Sequence, residues 1–456
     1  MKITPTLDKR FRPAVVEIDA FNRRVAYEGG KPFGIALERN DGYVYRRDMQ
    51  ILKDDDVENL RIVERIVKSL VWAVGGFALY IAGDPWLCHE LEKAYAEGGL
   101  REFDAEFMGR VYERPFEVIQ CGLNELPEAK ECSNSVGRHL NGCRIGFDAG
   151  GSDRKVSASI DGEVVYSEEV VWFPKINEDP DYHYQGILDS MMRAAEKMPT
   201  VDAIGVSSAG IYVNNRIMVA SLFLKVPNEL FDSKVKNMYL DCARALSEKY
   251  GKQIPIEVAN DGDVTALAGA MDLNDNQVLG IAMGTSEAAG YIDENGNLRG
   301  WLSELAFVPV DFNPDSMVDE WSGDYGCGVK YFSQDGVIKL ADYAGIDLSA
   351  GQSPAEKLKI VQKLAESGDE RALTVFRDTG ICLGYSLAYY ATIYDIKHVL
   401  ILGRVTSGVG GTLILEQANR VLAEEFPSLK LNLQLPDESN RRVGQSIAAA
   451  SLPEVK

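Results

Sequence analysis

Hydrophobic residues recur along the whole chain in short blocks that are separated by polar turns. Residues 56–71 carry apolar side chains at the spacing of an amphipathic helix, namely Leu60, Ile62, Val63, Ile66, Val67 and Leu70. The residues on both sides of Asn40-Asp-Gly42 predict a β-hairpin. Further blocks predict a strand at 77–81, a helix at 87–96 and a strand at 116–121. We therefore expect residues 1–140 to form a small α/β segment, with a polar linker at 125–141.

From residue 143 onward, the predicted elements follow the same order twice. The first series consists of strands at 143–147, 156–160 and 163–173, a helix at 184–198, a strand at 203–208, a helix at 232–250, a strand at 256–259 and a helix at 262–271. The second consists of strands at 278–283 and 287–293, a third strand after Asn295-Gly-Asn297, a long helical region at about 354–394, a strand at 398–402, a helix at 411–424, a strand at 429–435 and a helix at 440–450. This order favours two mixed sheets with helices on their faces and a cleft between them.

Composition narrows the class of protein. At 456 residues, the chain is long enough for two or three domains, and its apolar content of 46% supports well-buried cores. A net charge of −21 argues against nucleic-acid or anionic-membrane partners, since both favour clustered Lys and Arg. The longest apolar run, at 69–82, is too short to cross a bilayer. We expect a protein that acts on small molecules.

The cysteines and histidines show no clustering. The seven cysteines form no C-x-x-C pair, and the four histidines are equally dispersed. This distribution favours free thiols in a reducing compartment and predicts no structural zinc. The first residues contain no apolar stretch of a secretory signal, so a cytoplasmic location is expected. The sequence leaves a homodimer open.

The end of the first predicted strand of the first series is rich in groups that suit phosphate. Asp148 is followed by Gly150, Gly151, Ser152 and Lys155. The glycines permit positive φ and a close approach of backbone N–H groups to an anion, while the hydroxyl and the ammonium group add donors. Asp148 is suited to hold a hydrated Mg²⁺ that accompanies a nucleotide. The hairpin either binds phosphate or is a plain tight turn between two strands.

A strand runs directly into a helix at Val258-Ala-Asn-Asp-Gly-Asp263. Either Asp261 or Asp263 is suited to cap the helix. In the functional alternative, Asp261 accepts a proton from an attacking hydroxyl and Asn260 holds a neighbouring hydroxyl.

Two glycine-rich turns lie at strand ends in the second series. Their glycines and hydroxyl residues are Gly284, Thr285 and Ser286 in the first turn and Gly403, Gly410 and Gly411 in the second. The first turn is either a plain hairpin turn or a donor of N–H groups and hydroxyls to phosphate. The second opens into a helix whose N-terminus favours anions, and its bare backbone admits an adenine and ribose. The repeated architecture brings all four clusters to one cleft, which favours a nucleotide site.

These clusters resemble the motifs of the sugar-kinase, heat-shock-protein-70 and actin superfamily, and most closely those of the repressor, open-reading-frame and kinase (ROK) family of sugar kinases. Residues 148–152 resemble the phosphate motif Asp-x-Gly-Gly-Thr, and residues 284–290 are similar to a second phosphate motif. Residues 259–269 are similar to a Glu-Asn-Asp-Ala-Asn segment, which implies that Asp261 is the catalytic base and Asn260 a sugar ligand.

Two further motifs extend the resemblance, which covers about residues 143–450. Glu304 stands where the family has Gly-Glu-x-Gly-His and is implied to hold a sugar hydroxyl. Residues 403–411 resemble the adenosine motif.

The chain departs from the family pattern mainly on the sugar side. Phe307 replaces the zinc-ligand histidine, and the cysteine-rich zinc loop is reduced to Gly326-Cys-Gly328. Ser221-Leu-Phe223 stands where Pro-Asn-Leu is usual, and Glu287 and Ala288 occupy positions of glycines in the second phosphate loop. The identity of the acceptor therefore stays open.

The resemblance implies an α/β fold of two ribonuclease-H-like (actin-like ATPase) domains that flank a nucleotide cleft. These domains are expected at 141–275 and 276–456, with residues 1–140 as an N-terminal extension. The implied activity is the ATP-dependent phosphorylation of a sugar hydroxyl, with ATP and Mg²⁺ as cofactors. Two alternatives remain open, a sugar-binding sensor without catalysis and an ATPase that needs no acceptor.

Overall fold

The computed structural model describes residues 1–131, 136–436 and 438–455. Its helices and mixed sheets confirm the predicted α/β class. The chain divides into two compact units: unit 1 contains Met1–Cys132, Ile281–Ala289 and Trp301–Leu435, and unit 2 contains Ser133–Gly280, Gly290–Gly300 and Pro436–Lys456. The N-terminal segment thus shares a unit with most of the second predicted series. The part of the expected linker at 132–135 lies outside the described residues.

The described part of the N-terminal segment contains four strands and four α-helices. They are α1 (Ala14–Glu28), β1 (Gly30–Glu38), β2 (Val44–Leu52), α2 (Asp56–Ala73), β3 (Ala78–Ala82), α3 (Pro85–Tyr95), α4 (Glu102–Tyr112) and β4 (Glu117–Cys121). The strands form one sheet in the order β2-β1-β3-β4. The predicted hairpin, α2, β3, α3 and β4 are confirmed. The sequence pattern missed α1 and α4, neither of which has a side-chain N-cap, whereas Asp55 caps α2 and Asp84 caps α3.

The first predicted series forms a five-stranded sheet in unit 2. Its elements are β5 (Cys143–Ala149), β6 (Asp153–Ile160), β7 (Glu163–Val171), α5 (Pro180–Ala195), β8 (Ala203–Ser208), β9 (Ile211–Val213), β10 (Arg216–Val219), α6 (Asn228–Leu230), α7 (Met238–Tyr250), β11 (Ile256–Asn260) and α8 (Asp261–Leu273). The sheet order is β11-β8-β5-β6-β7, and β9 and β10 form a separate hairpin. Strands β5, β8 and β11 are parallel, while β5, β6 and β7 are the predicted antiparallel meander.

The second predicted series begins with two strands rather than three. Its elements are β12 (Val278–Met283), β13 (Glu287–Ile292), α9 (Gln334–Tyr343), α10 (Pro354–Glu366), α11 (Glu370–Tyr390), β14 (His398–Leu402), α12 (Val409–Glu425), β15 (Asn432–Gln434) and α13 (Glu438–Ala450). The sheet order is β13-β12-β14-β15. The predicted third strand is wrong, because only an isolated bridge joins Ile292 to Leu298. Asp293 accepts from the N–H groups of Asn295 and Asn297 and closes a tight turn instead.

Helix α13 lies directly on the sheet of unit 2 because two neighbouring glycines leave no side chain beneath it. Gly146 on β5 is paired with Gly205 on β8. A Cβ at Gly146 would lie 2.0 Å from the carbonyl oxygen of Ser446, and a Cβ at Gly205 would lie 1.6 Å from that of Ala449. These contacts leave no room for a larger residue, so the two glycines set the distance between helix and sheet.

Helix α2 is buried along most of its length and carries charged side chains into the interior of unit 1. Three cations and three anions lie there, each at most 7% exposed: Arg65, Lys68, Arg101, Glu64, Asp104 and Asp324. Asp324 belongs to the loop before α9. It contacts Arg65 at 2.6 Å, Arg101 at 3.0 Å and Lys68 at 3.4 Å. The cluster joins the N-terminal helices to this loop and is balanced in charge.

We expect Asp324→Asn to lower the free energy of unfolding at pH 7 by about 3–5 kcal/mol, because it leaves three buried cations with two anions. Burial alone would raise the pKa of Asp324, but the charges of Arg65, Lys68 and Arg101 hold that pKa well below its usual range. The stabilisation is therefore fully present above the unfolded-state pKa of about 4 and is lost as the pH falls towards the depressed folded-state pKa.

Urea unfolding at pH 7 and pH 3 measures this effect, and the difference between Asp324→Asn and wild type should be smaller at pH 3. Asp315→Asn removes an exposed carboxylate from the same loop and serves as the control, with an expected change within about 0.5 kcal/mol. A loss below about 1 kcal/mol for Asp324→Asn at pH 7 would contradict the role of the cluster.

Candidate functional site

The carboxyl ends of three adjacent parallel strands bring polar side chains together in unit 2. Asp148 on β5 is paired in register with Ser207 on β8, and Ser208 with Asn260 on β11. The Ser207 hydroxyl donates to Asp148 Oδ1 at 2.9 Å. Desolvation raises the pKa of Asp148 to about 6, although the hydrogen bond from Ser207 and the charge of Lys155 oppose the rise. The ends of parallel strands are the usual location of ligand sites in α/β folds.

The structure decides which residue caps α8. Asn260, rather than Asp261 or Asp263, is the N-cap of α8, since its Oδ1 accepts from the Gly262 N–H at 2.7 Å. Its Nδ2 donates to the Gly210 carbonyl at 2.7 Å. Asp261 is half-buried and accepts from the Gly262 N–H at 3.0 Å. Desolvation raises the pKa of Asp261, while that N–H group opposes the shift.

Asp263 links helix α8 to strand β13. Its Oδ1 accepts from the Tyr291 N–H on β13 at 3.2 Å. A Cβ at the neighbouring Gly290 would lie 2.2 Å from the Asp263 nitrogen, so β13 and the first turn of α8 meet at backbone distance. Desolvation raises the pKa of Asp263 to about 7. The carboxyl group therefore anchors the helix to the strand.

The first hairpin satisfies its own polar groups. The Ser152 hydroxyl donates to Asp153 Oδ2 at 3.1 Å, and Lys155 Nζ lies 2.9 Å from Asp153 Oδ1. Both groups that the sequence assigned to phosphate thus contact an acid of the same hairpin. The expected positive φ is also not found at Gly150 or Gly151. Glycine is required at 150 for a different reason, because a Cβ there would lie 2.7 Å from the Asp153 carbonyl oxygen.

Sequence reasoning missed Lys175, which lies next to this hairpin. The residue belongs to the short 3-10 turn Pro174–Ile176 that follows β7. A Cβ at Gly151 would lie 2.9 Å from Lys175 Cε and 3.2 Å from Nζ, so the side chain crosses the hairpin at its glycine. Its charge lowers the pKa of Asp261 against the effect of desolvation. No spacing in the sequence indicates this lysine, because only the tertiary structure brings its turn to the hairpin.

In unit 1, the two glycine-rich turns of the second series lie side by side. A Cβ at Gly403, which has a φ of +107°, would lie 2.2 Å from the carbonyl oxygen of Met283 at the end of β12. The Gly284 N–H donates to the Ser286 carbonyl at 2.9 Å and closes the hairpin. Among the described residues, a Cβ at Gly284 would meet only that carbonyl, at 3.8 Å, which leaves space over this turn. The side chain of Thr285 is exposed.

Gly410 and Gly411 are buried in the first turn of α12. A Cβ at Gly410 would lie 2.8 Å from the Phe376 ring on α11, and one at Gly411 would lie 2.0 Å from the Thr406 carbonyl oxygen. Close packing therefore accounts for both glycines, independently of any nucleotide.

Two departures from the family pattern have structural counterparts in unit 1. Phe307 stacks on Trp72 of α2, with ring centroids 4.1 Å apart. Glu287 is 3% exposed, and neither of its carboxyl oxygens has a hydrogen-bond partner among the described residues. Burial and the nearby charge of Glu304 raise the pKa of Glu287 well above its usual value. A residue at the position of the zinc-ligand histidine thus contacts the N-terminal segment, and burial disfavours the charged form of an acid in the hairpin.

The described residues contain no group of three or more His, Cys, Asp or Glu side chains that could hold a metal ion. A magnesium ion bound through water to one carboxylate does not require such a group. Six cysteines are free thiols, and Cys132 lies outside the described residues. Within the described part of the chain, no helix is long and apolar enough to span a membrane.

The strand ends, the glycine-rich turns and the mixed sheets define an α/β protein with the fold of the actin-like ATPases. The model of the ROK family matches residues 144–447, and the chain belongs to that family. The N-terminal segment lies outside this match. No curated protein sequence matches the chain.

Solved structures of ROK proteins share the fold at low sequence identity. A ROK hexokinase from Thermus thermophilus is 19% identical, with 67% of this chain and 97% of that chain covered and a TM-score of 0.52. A ROK family transcriptional regulator, a homologue of the E. coli MLC protein, is 16% identical, with 69% and 79% covered and a TM-score of 0.50. A ROK family glucokinase from Streptomyces griseus, in complex with glucose and AMPPNP, is 20% identical, with 68% and 99% covered and a TM-score of 0.47.

The raised pKa of Glu287 predicts a pH effect on stability. A folded-state pKa above the unfolded-state value of about 4.3 means that folding takes up a proton, so wild type loses stability as the pH rises above that value. Glu287→Gln removes this loss. We expect the variant to exceed wild type by about 1 kcal/mol or more at pH 8 and to match it near pH 4.

Urea unfolding of Glu287→Gln and wild type at pH 4, 6 and 8 measures this difference. Glu416→Gln, which alters an exposed acid on α12, is the control and should follow wild type at each pH. If the free energy of unfolding of Glu287→Gln and of wild type changes in parallel across this pH range, Glu287 is ionised in the folded protein and the prediction is wrong.

Proposed function

We propose that the protein transfers the γ-phosphoryl group of ATP to a hydroxyl of a sugar or related polyol, with Asp261 as the general base. The observation that carries this proposal is the position of Asp261. It follows the end of β11, beside the Asp148–Ser207 pair, and desolvation raises its pKa. A carboxylate with a raised pKa accepts a hydroxyl proton more readily near neutral pH.

In the proposed reaction, the acceptor oxygen forms a new bond to phosphorus and its proton passes to Asp261. The bond between that phosphorus and the bridging oxygen breaks, and its electron pair leaves on ADP. Asn260 and Glu304 are proposed to orient the acceptor. Positioning and electrostatics supply most of the rate in such transfers.

The residues present fit a nucleotide with Mg²⁺. Asp148 offers carboxylate oxygens, which Mg²⁺ prefers, and a cation would offset its proximity to Asp261 and Asp153. The open space over Gly284 and the exposed Thr285 suit a phosphate group. When bound, MgATP supplies the phosphoryl group and the charge that stabilises it. Gly150, Gly151, Ser152, Lys155, Ser286, Gly403, Gly410 and Gly411 stay proposed contacts of the nucleotide.

A sugar-binding protein without catalysis is the second candidate. The specific observation in its favour is the first hairpin, where Asp153 already pairs with Ser152 and Lys155. An acid in that place disfavours an incoming phosphate by charge repulsion. This candidate predicts sugar binding without release of ADP.

We expect Asp261→Asn to reduce kcat by about 10²–10⁴-fold, because it removes the group that accepts the hydroxyl proton while nearly preserving size. The measurement is ADP release from MgATP with a panel of sugars, sugar acids and carboxylates. Asp272→Asn, which changes an exposed acid at the other end of α8, is the matched control and should retain wild-type turnover.

The panel separates the candidate functions. ADP release that one sugar stimulates and Asp261→Asn abolishes supports the kinase. Release without any acceptor indicates an ATPase, and sugar binding without release indicates a sensor. Unchanged turnover in Asp261→Asn would exclude Asp261 as the base.

A further inference from the structure

The first hairpin of unit 2 has a shortage of available positive charge. Asp153 and Asp261 both lie close enough to act on the charge of Asp148, and Lys155 is paired with Asp153 at 2.9 Å. A phosphate at this place needs a cation that is not already neutralised. The other cation of this stretch, Arg154, donates to the Ser190 hydroxyl at 3.0 Å and lies over the Trp172 ring.

Lys175 lies where such a cation is needed. Its side chain crosses Gly151, with Nζ 3.2 Å from the place of a Cβ, and it is exposed. Lys175 has no hydrogen bond or ion pair within the described part of the chain, so its ammonium group is available to a ligand. Glycine at 151 leaves the space that the end of this side chain occupies.

The turn that carries Lys175 is held firmly against the hairpin. Trp172 Nε1 donates to the Gly150 carbonyl at 2.7 Å, and the Trp172 N–H donates to the Ser152 carbonyl at 3.1 Å. The buried His183 ring places Nε2 3.0 Å from the Pro174 carbonyl oxygen. These contacts hold the backbone that precedes the lysine against the hairpin.

We propose that Lys175, rather than Lys155, is the lysine that binds the phosphoryl group at the first hairpin. The proposal rests on the proposed kinase function and adds a residue from outside the family motifs. A fixed ammonium group stabilises negative charge that spreads over the phosphoryl oxygens during transfer.

The charge of Lys175 also acts on Asp261, so the pH profile gives a further readout that depends on the groups around Asp261. These are Asp148 on β5, Asp263 on α8, Tyr212 on β9 and Lys175. Lys175 is the positive charge among them that lowers the pKa of Asp261. Its removal therefore shifts that pKa upward and moves the acid limb of kcat/KM to higher pH.

The test compares Lys175→Met, Lys175→Arg and Lys155→Met, with Lys225→Met as an exposed control lysine from the same unit. We expect Lys175→Met to lower kcat by about 100-fold and to move the acid limb to higher pH. Lys175→Arg should keep the limb in place and restore part of kcat, and Lys225→Met should match wild type. A structural role for Lys175 would not move the limb. Circular dichroism and thermal unfolding confirm that each variant is folded.

Binding of MgATP without acceptor, measured by isothermal titration calorimetry, makes the test independent of turnover. Weaker binding by Lys175→Met than by Lys155→Met supports the phosphate contact even if wild type releases no ADP, in which case the kinase assignment alone fails. The proposal is overturned if Lys155→Met loses more affinity or kcat than Lys175→Met, if the acid limb stays in place in Lys175→Met, or if wild type binds no MgATP.

Discussion

The balance of charge around Asp324 is the constraint on which unit 1 depends. Three cations from the N-terminal segment surround this single carboxylate, and Glu64 and Asp104 complete the balance. Loss of one partner from a buried ionic cluster costs several kcal/mol, because the remaining charges stay desolvated. The N-terminal helices and the loop at 324 therefore need each other. Phe307 stacks on Trp72 of α2, the helix that also carries Arg65 and Lys68. Because Phe307 belongs to the short turn that follows Glu304, the N-terminal segment supports that turn.

A second charge balance decides the chemistry of the first hairpin. Asp153 forms an ion pair with Lys155 and accepts a hydrogen bond from the Ser152 hydroxyl. The polar groups of the motif that indicates phosphate binding are therefore paired within the hairpin itself. The exposed lysine at 175 restores a positive charge at the same place from a different element. The hairpin thus resembles the family motif in sequence, while Lys175 supplies the positive charge from another element. This is possible because electrostatic interaction depends on distance in space and not on position along the chain.

Glu287 illustrates a local conflict that persists in a well-packed interior. A buried acid without a hydrogen-bond partner among the described residues is costly, and protonation reduces the cost. Such conflicts concentrate at functional or strained places, and this one lies in the strand that follows the second phosphate turn.

The sequence by itself determined the α/β class, the family and most regular elements. The strands β8, β12 and β14 have the predicted bounds, because compact apolar runs between polar turns leave little choice of structure or end. Asp148, Asn260 and Asp261 were placed at strand ends for the same reason. Only the tertiary structure decided that Asn260 caps α8, that Asp153 pairs with Lys155, that Lys175 reaches Gly151, and that the N-terminal segment packs within unit 1. Apolar periodicity is local, whereas the partner of a polar side chain is set by distances between residues that are remote in sequence.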